Sequence, residues 1–121
     1  PWLDESLATY MELLYFERYH PESVDWWWRN RVFQYDNSGY VNSDIHIEGG
    51  YPKYRAAVYL NGAKFMRDLR QIVGDEAFFA ALKDYAYANT WRIANAKDFF
   101  DAFANHSNAN LSGLLNQYFR D

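Results

Sequence analysis

Two residues of this 121-residue sequence, Glu5 and Tyr59, have side chains that could take part in chemistry and lie next to small residues on predicted helices. Glu5 lies in the first turn of a segment with helical periodicity, where a carboxylate offsets the positive end of the helix dipole. From the residues alone, that electrostatic role is the favoured interpretation. The same face carries Ala8 and Thr9, whose small side chains would let another backbone approach closely. Tyr59 precedes Gly62 by one turn, and a glycine in a helix costs about 1 kcal/mol of propensity, which indicates close packing there or access to the tyrosine hydroxyl.

The histidines do not form a self-contained metal site. His20, His46 and His106 are too far apart to make an i,i+4 pair on a helix, and the sequence has no H-E-x-x-H motif. His46 and Glu48, in a glycine-flanked stretch, could ligate a metal or contact a ligand, but a solvated loop histidine is the favoured interpretation. Cysteine is absent, as are the glycine-rich motifs of serine hydrolases, phosphate-binding loops and dinucleotide-binding folds. The sequence therefore lacks the motifs that identify most classes of enzyme.

Composition limits the class of protein further. A chain of 121 residues fits one domain, and its 21% aromatic content indicates a large core. The net charge is −4 and no basic cluster occurs, which argues against a nucleic-acid partner. No apolar run approaches the roughly 18 residues that a membrane-spanning helix needs. Localisation stays open.

Hydrophobic periodicity predicts helices throughout the chain and no strand-period segment longer than a few residues. A first helix over residues 3–19 would pack through an apolar stripe made of Leu3, Leu7, Tyr10, Met11 and Leu14. Further helices are predicted over residues 22–36, 53–73, 75–88, from 96 onward, and about 111–119. Asp75 could cap its helix, and Asn95 with Asp98 approximates a capping box. The predicted fold class is all-α.

Two segments stand out from the helical pattern. Residues 36–51 are rich in turn-forming residues, and a loop longer than about 12 residues in a compact domain is often functional, so this loop is a candidate wall of a site. Three consecutive tryptophans, Trp26, Trp27 and Trp28, would point about 100° apart on a helix and cannot all enter one core. At least one of them should be exposed or covered by something else. A helix between two layers is favoured over a platform for carbohydrate or an aromatic ligand.

Four short motifs, in order, give the sequence a family resemblance. Residues 1–12 resemble the pattern W-L-[N/D]-E-G-[F/L]-A-x-Y-x-E, and residues 58–63 resemble Y-x-K-G-A. Residues 69–78 match L-R-x-x-x-G-D-E-x-F, and residues 94–99 are similar to A-T-x-x-D-F. In this order and spacing the motifs resemble those of the aminopeptidase N-type zinc metallopeptidases, a gluzincin family. The resemblance covers almost the whole chain.

The resemblance implies a role for each of the two residues singled out above. Glu5 matches the glutamate that serves as the third zinc ligand, and Tyr59 matches the tyrosine that donates a hydrogen bond to the oxyanion of the tetrahedral intermediate. Both would act in the hydrolysis of a peptide substrate by a zinc-activated water. If so, the Glu5 carboxylate and the Tyr59 hydroxyl should lie at most about 7 Å apart, beside one concavity that includes the loop.

The resemblance also implies that this chain is one part of a larger catalytic domain. The family's H-E-x-x-H helix would lie N-terminal to Trp2, so residues 1–121 would be the C-terminal helical lobe of a thermolysin-like domain, a compact orthogonal array of about five to six helices. We therefore expect Zn²⁺ in the full-length protein and none held by this chain alone. The partners would be the upstream subdomain and a peptide substrate. An apolar face left without the upstream part would favour self-association.

Two positions depart from the family pattern. Ser6 replaces a glycine, and Asn61 replaces the lysine of Y-x-K-G-A, which removes a charge near the site. The competing hypothesis is a non-catalytic helical interaction module or pseudo-peptidase domain. An intact upstream H-E-x-x-H would favour the hydrolase, and a degenerate one would favour the module.

Overall fold

The computed structural model describes residues 1–121, and its regular elements are all helical. Helix α1 spans Trp2–Tyr19. Helix α2 covers residues 21–33 in three consecutive parts, and α3 covers residues 50–73 in the same manner. The remaining helices are α4 (Asp75–Ala88), α5 (Ala96–Ala104) and α6 (Ser112–Tyr118). These six helices form a compact array, which confirms the all-α prediction.

Both composite helices contain a π-helical segment. In α2 a 3₁₀ turn (Pro21–Ser23) and one α turn (Val24–Trp27) precede a π segment, Trp28–Phe33. In α3 a short α segment (Gly50–Tyr54) leads into a π segment, Arg55–Leu60, and then a regular α segment, Asn61–Val73. A π turn closes its hydrogen bonds over five residues instead of four, so it changes which side chains share a face. This change matters most in α3.

The face that α1 buries includes most of the predicted apolar stripe, with one exception, and it also includes two hydroxyl residues. Met11 is 52% exposed, whereas Ser6, Thr9 and Leu13 are buried together with Leu3 and Tyr10. Hydroxyl groups can be buried on this face because each has an acceptor: Ser6 Oγ donates to the Val58 carbonyl at 2.7 Å, and Thr9 Oγ1 donates to the Glu5 carbonyl at 2.8 Å. Leu7 and Leu14 also pack against the core, so the predicted stripe is confirmed except at Met11.

Helices α1 and α3 come closest together at Ser6 and Gly62. A Cβ atom on Gly62 would lie 2.2 Å from Ser6 Oγ, so no larger residue fits without movement. The close packing predicted at Gly62 is thus present, but its partner is Ser6. Ala8 is exposed and takes no part in it. The serine that departs from the family pattern consequently fills the space on α1 that the glycine on α3 leaves open.

Residues 34–49 form an irregular loop, which confirms the prediction for 36–51 except that residues 50 and 51 begin α3, and several contacts hold the loop in place. Asn61 Nδ2 donates to the Gly39 carbonyl at 2.7 Å, and the Val41 amide donates to the Tyr118 carbonyl at 2.8 Å. Asn42 exchanges hydrogen bonds with the backbone of Arg120. Gly39 has φ +104°, and a Cβ there would lie 2.8 Å from the Ala57 side chain, so the loop passes directly over the π segment of α3.

The remaining predictions have mixed outcomes. Of the three tryptophans, Trp27 is buried, Trp28 is half-buried and Trp26 is 52% exposed, so the expectation of an exposed indole is confirmed. The Asn95–Asp98 capping box is present at the start of α5. Asp75 makes no capping hydrogen bond, because its carboxylate binds Arg70 instead. None of the six helices has the length and apolarity required to cross a membrane.

Candidate functional site

Each oxygen of the Glu5 carboxylate accepts a hydrogen bond from a different tyrosine of α3. Tyr59 Oη donates to Oε1 at 2.9 Å, and Tyr54 Oη donates to Oε2. Glu5 and Tyr59 are 54 residues apart in sequence. Their separation lies well within the predicted limit of about 7 Å.

The π segment of α3 brings the two tyrosines to the same face. In a regular α-helix, residues five apart point about 140° away from each other. Hydrogen bonding over five residues places them one turn apart instead. Tyr54 immediately precedes the π segment and Tyr59 lies within it. Their ring centroids are 6.2 Å apart in an edge-to-face arrangement, and both hydroxyls reach the same carboxylate.

Both phenols are held in the protonated form. Tyr54 is 2% exposed, and its burial, followed by its hydrogen bond to Glu5, raises the pKa of its hydroxyl far above the ordinary value. Burial and the hydrogen bond to Glu5 likewise raise the pKa of Tyr59 to about 12. Each tyrosine is consequently a neutral hydrogen-bond donor at neutral pH.

The Glu5 carboxylate is half-buried and has no cationic partner. It forms no ion pair with any lysine, arginine or histidine of the chain, and its two side-chain contacts are neutral phenols. A carboxylate offers about four acceptor positions, of which the tyrosines use two. The free positions can accept a cation.

A concavity of about 320 Å³ opens beside Glu5. Tyr54 and Glu5 line one part of it, and the loop lines another. The full lining is Pro1, Trp2, Glu5, Asn42, Ser43, Asp44, Ile45 and Tyr54. The loop thus forms a wall at this site, while occupation by a substrate stays a prediction. Tyr59 is not part of the lining, but it contacts two residues that are, Glu5 and Tyr54.

The chain does not bring together a complete set of metal ligands. It contains no group of three or more histidine, cysteine, aspartate or glutamate side chains that could hold a metal. His46 and His20 are exposed, and His106 contacts Asp84 in a different part of the molecule. The carboxylate side chains that line the concavity are those of Glu5 and Asp44.

Comparisons with known proteins show the family of the chain. The family model described as "Peptidase family M1 domain" matches residues 1–118. The chain is similar to aminopeptidase N of Lactococcus lactis subsp. lactis, with 27% identity over 97% of this chain and 15% of that protein. It is also similar to aminopeptidase N of Lactobacillus delbrueckii subsp. lactis, with 24% identity and the same coverage. The chain belongs to peptidase family M1.

The chain spans 15% of the length of these curated relatives. No solved structure matches it.

Sequence reasoning missed two residues of this region. Tyr54 lies five positions before Tyr59, a spacing that separates side chains on an α-helix, so only knowledge of the π segment could have paired them. Asn61 was noted for the charge that it removes. In the structure it is buried and holds the loop at Gly39, a role that its short amide can perform.

Proposed function

We propose that this chain is the helical part of the catalytic domain of a zinc metallopeptidase of the aminopeptidase type. In this proposal residues 1–121 supply one zinc ligand, Glu5, and one oxyanion donor, Tyr59. Support comes from the M1 family match over residues 1–118 and from the relatives named aminopeptidase N. The substrate would be a peptide, and the remaining metal ligands would come from the rest of the protein.

The observation that carries this proposal is the unpaired charge of Glu5. A half-buried carboxylate without a cation is costly, so proteins normally pair such groups with a base or with a metal. Here both side-chain partners are neutral hydroxyls that orient the carboxylate without neutralising it. A zinc ion would supply the missing positive charge and would provide an activated water for hydrolysis.

Tyr59 is suited to stabilise negative charge on a substrate oxygen. A phenol is neutral at pH 7, and its hydroxyl can donate one hydrogen bond. Its side chain is only half-buried, so the hydroxyl can turn from Glu5 Oε1 to a nearby oxyanion. A donor placed where charge develops only in the transition state accelerates hydrolysis without strengthening the binding of the substrate.

The test compares two variants of the full-length protein. Glu5→Gln should lose both zinc and peptidase activity, measured by metal analysis and by hydrolysis of aminoacyl anilides. Tyr59→Phe should retain zinc but lower kcat by about 10²–10³-fold with little change in KM. Tyr40→Phe, in an exposed loop tyrosine, is the matched control and should behave as wild type. A Tyr59→Phe enzyme with full kcat would contradict the assignment of Tyr59.

Two accompanying expectations concern the isolated chain. We expect it to lack peptidase activity and to bind zinc weakly, since one carboxylate cannot replace three ligands and a general base. Its exposed aromatic residues, among them Tyr15, Tyr19 and Trp26, would favour self-association. A full-length protein that retains its fold but binds no zinc would instead favour the non-catalytic interaction module.

A further inference from the structure

The hydroxyl of Tyr54 meets Glu5 on the carboxylate oxygen that Tyr59 does not use. Tyr54 is 2% exposed and lies in a small apolar cluster with Ala57 and Val58. A ring enclosed in this way keeps one orientation, because a change of rotamer would require the cluster to open. The donor to Oε2 is therefore fixed by packing.

Tyr59 is less confined than Tyr54. It is half-buried, and in the proposed function it leaves Glu5 Oε1 when it donates to a substrate oxygen. During that step Tyr54 would be the one remaining side chain of this chain that binds the carboxylate. The two tyrosines thus have separable tasks: Tyr59 serves the substrate and Tyr54 serves Glu5.

Orientation of the carboxylate determines how well it can bind a metal. A glutamate side chain has three rotatable bonds, so without partners it samples many positions. Hydrogen bonds from surrounding groups select one position and direct a free lone pair toward the metal, and losing such a partner typically weakens metal binding about 10- to 100-fold. The Tyr54 hydroxyl occupies one acceptor position on Oε2 and leaves another free.

We propose that Tyr54 is a positioning residue that holds the Glu5 carboxylate in its zinc-binding orientation through the hydrogen bond at Oε2. The proposal rests on the proposed function, because Glu5 must first be a zinc ligand. Tyr54 does not touch the substrate in this role. It acts on zinc through Glu5 alone.

The experiment measures zinc retention in the full-length protein by competition with a chelator and by the rate of zinc release. The variants are Tyr54→Phe and, as a second change without the hydroxyl, Tyr54→Leu. Tyr118→Phe is the matched control, because Tyr118 is also buried and donates its hydroxyl to a carboxylate, that of Asp68, away from the concavity. Glu5→Gln reports whether Glu5 binds zinc at all. Thermal unfolding of each metal-free variant shows whether the fold is preserved.

Tyr54→Phe should raise the zinc dissociation constant about 10- to 100-fold and accelerate zinc release, while Tyr118→Phe should change either value less than about threefold. The two variants should lose similar thermal stability, so a general loss of stability would not account for the difference. If Glu5→Gln releases zinc but Tyr54→Phe retains it as Tyr118→Phe does, the positioning role is wrong and the proposed function stands. If Glu5→Gln retains zinc like the wild type, both proposals are wrong.

Discussion

Two glutamates, one near each end of α1, contact side chains of α3, and the charges of their partners differ. At one end Glu5 accepts hydrogen bonds from two neutral tyrosines. At the other end Glu17 pairs with Arg70 at 2.7 Å, and the same guanidinium binds Asp75 at the start of α4. We call this second group the arginine cluster. Each carboxylate of the arginine cluster has a cation of the chain as its partner, whereas the Glu5 carboxylate has none.

This difference separates residues that serve stability from residues that are available for function. Arg70 and Asp75 belong to the L-R-x-x-x-G-D-E-x-F motif, and the structure shows them linking three helices. Arg70 also donates to the Tyr10 hydroxyl and lies over the Phe79 ring. Glu5 belongs to the motif to which the proposed function gives the zinc ligand. In that proposal the counterion of Glu5 is the zinc ion.

The largest expected effect on stability follows from removing Arg70. Arg70→Ala would leave Glu17 and the Tyr10 hydroxyl without their donor in a partly buried location. We expect the free energy of unfolding to fall by roughly 2–3 kcal/mol, measured by urea denaturation of the chain. Arg70→Lys should recover only part of this loss, because an ammonium group cannot bind two carboxylates with the planar fork of a guanidinium.

Glu5→Gln should have a much smaller effect on the free energy of unfolding than Arg70→Ala. The amide oxygen can still accept from one tyrosine and the amide nitrogen can donate to the other hydroxyl, while the uncompensated charge disappears. We expect the free energy of unfolding to change by less than about 1 kcal/mol in the same urea measurement. A loss as large as that of Arg70→Ala would break the comparison, because it would make the Glu5 end a structural cluster of the same kind.

The contact between Ser6 and Gly62 lies between these two ends and sets the distance between the helices. Gly62→Ala would place a methyl group 2.2 Å from Ser6 Oγ, so we expect a loss of roughly 1–3 kcal/mol in urea denaturation. In a Ser6→Gly background the same change should cost less, since the nearest remaining atom, the Cα at position 6, is 3.3 Å away. Strictly additive costs in this double-mutant cycle would show that the helices adjust without strain.

The loop at the Glu5 end is held in place partly by an uncharged hydrogen bond from Asn61. Asn61→Ala removes the hydrogen bond to the Gly39 carbonyl and should lower the free energy of unfolding by about 1 kcal/mol. Hydrogen exchange of residues 34–49 should become faster, while exchange in α4 stays unchanged. Asn116→Ala, at an exposed position of α6, is the control. Unchanged exchange in the loop would mean that the contacts at Val41 and Asn42 hold it without Asn61.

Much of the fold was predictable because its signals are local. Gly74, with φ +85°, ends α3, and the side chains of Asn95 and Asp98 cap α5 at the predicted place. The proximity of Glu5 and Tyr59 was predicted by family resemblance, since no periodicity connects residues 54 positions apart. The residue types of Glu5 and Tyr59 indicate what chemistry they can do, but the local sequence does not indicate that they are in contact.

The errors arose where tertiary contacts override local preference. Apolar spacing placed Met11 in the core of α1, but the close approach of Gly62 and the acceptor at Val58 turned Ser6 inward. Aspartate is a preferred N-cap residue, but the Asp75 carboxylate binds the guanidinium of Arg70, which is a stronger partner than backbone amides. The π segment that pairs Tyr54 with Tyr59 has no established sequence signal, because its cost is compensated by packing elsewhere.

The smallest expected effect is an acid dependence of stability that both ends share. Hydrogen bonds from Ser38 and Lys53 lower the pKa of Asp36, in the loop, to about 2, and Arg70 lowers the pKa of Asp75 in the arginine cluster. Both carboxyls have a lower pKa in the folded chain than in the unfolded chain, where it is near 3.9. Their contribution is therefore present above about pH 4 and is lost as the pH falls toward 2. Asp36→Asn and Asp75→Asn should each make the urea midpoint less steeply pH-dependent in this range, by a small amount because both side chains are largely exposed. If only Asp75→Asn reduces the slope, the pKa of Asp36 is the same in the folded and the unfolded chain, and the ion pairs then affect the pH dependence of stability only at the arginine cluster.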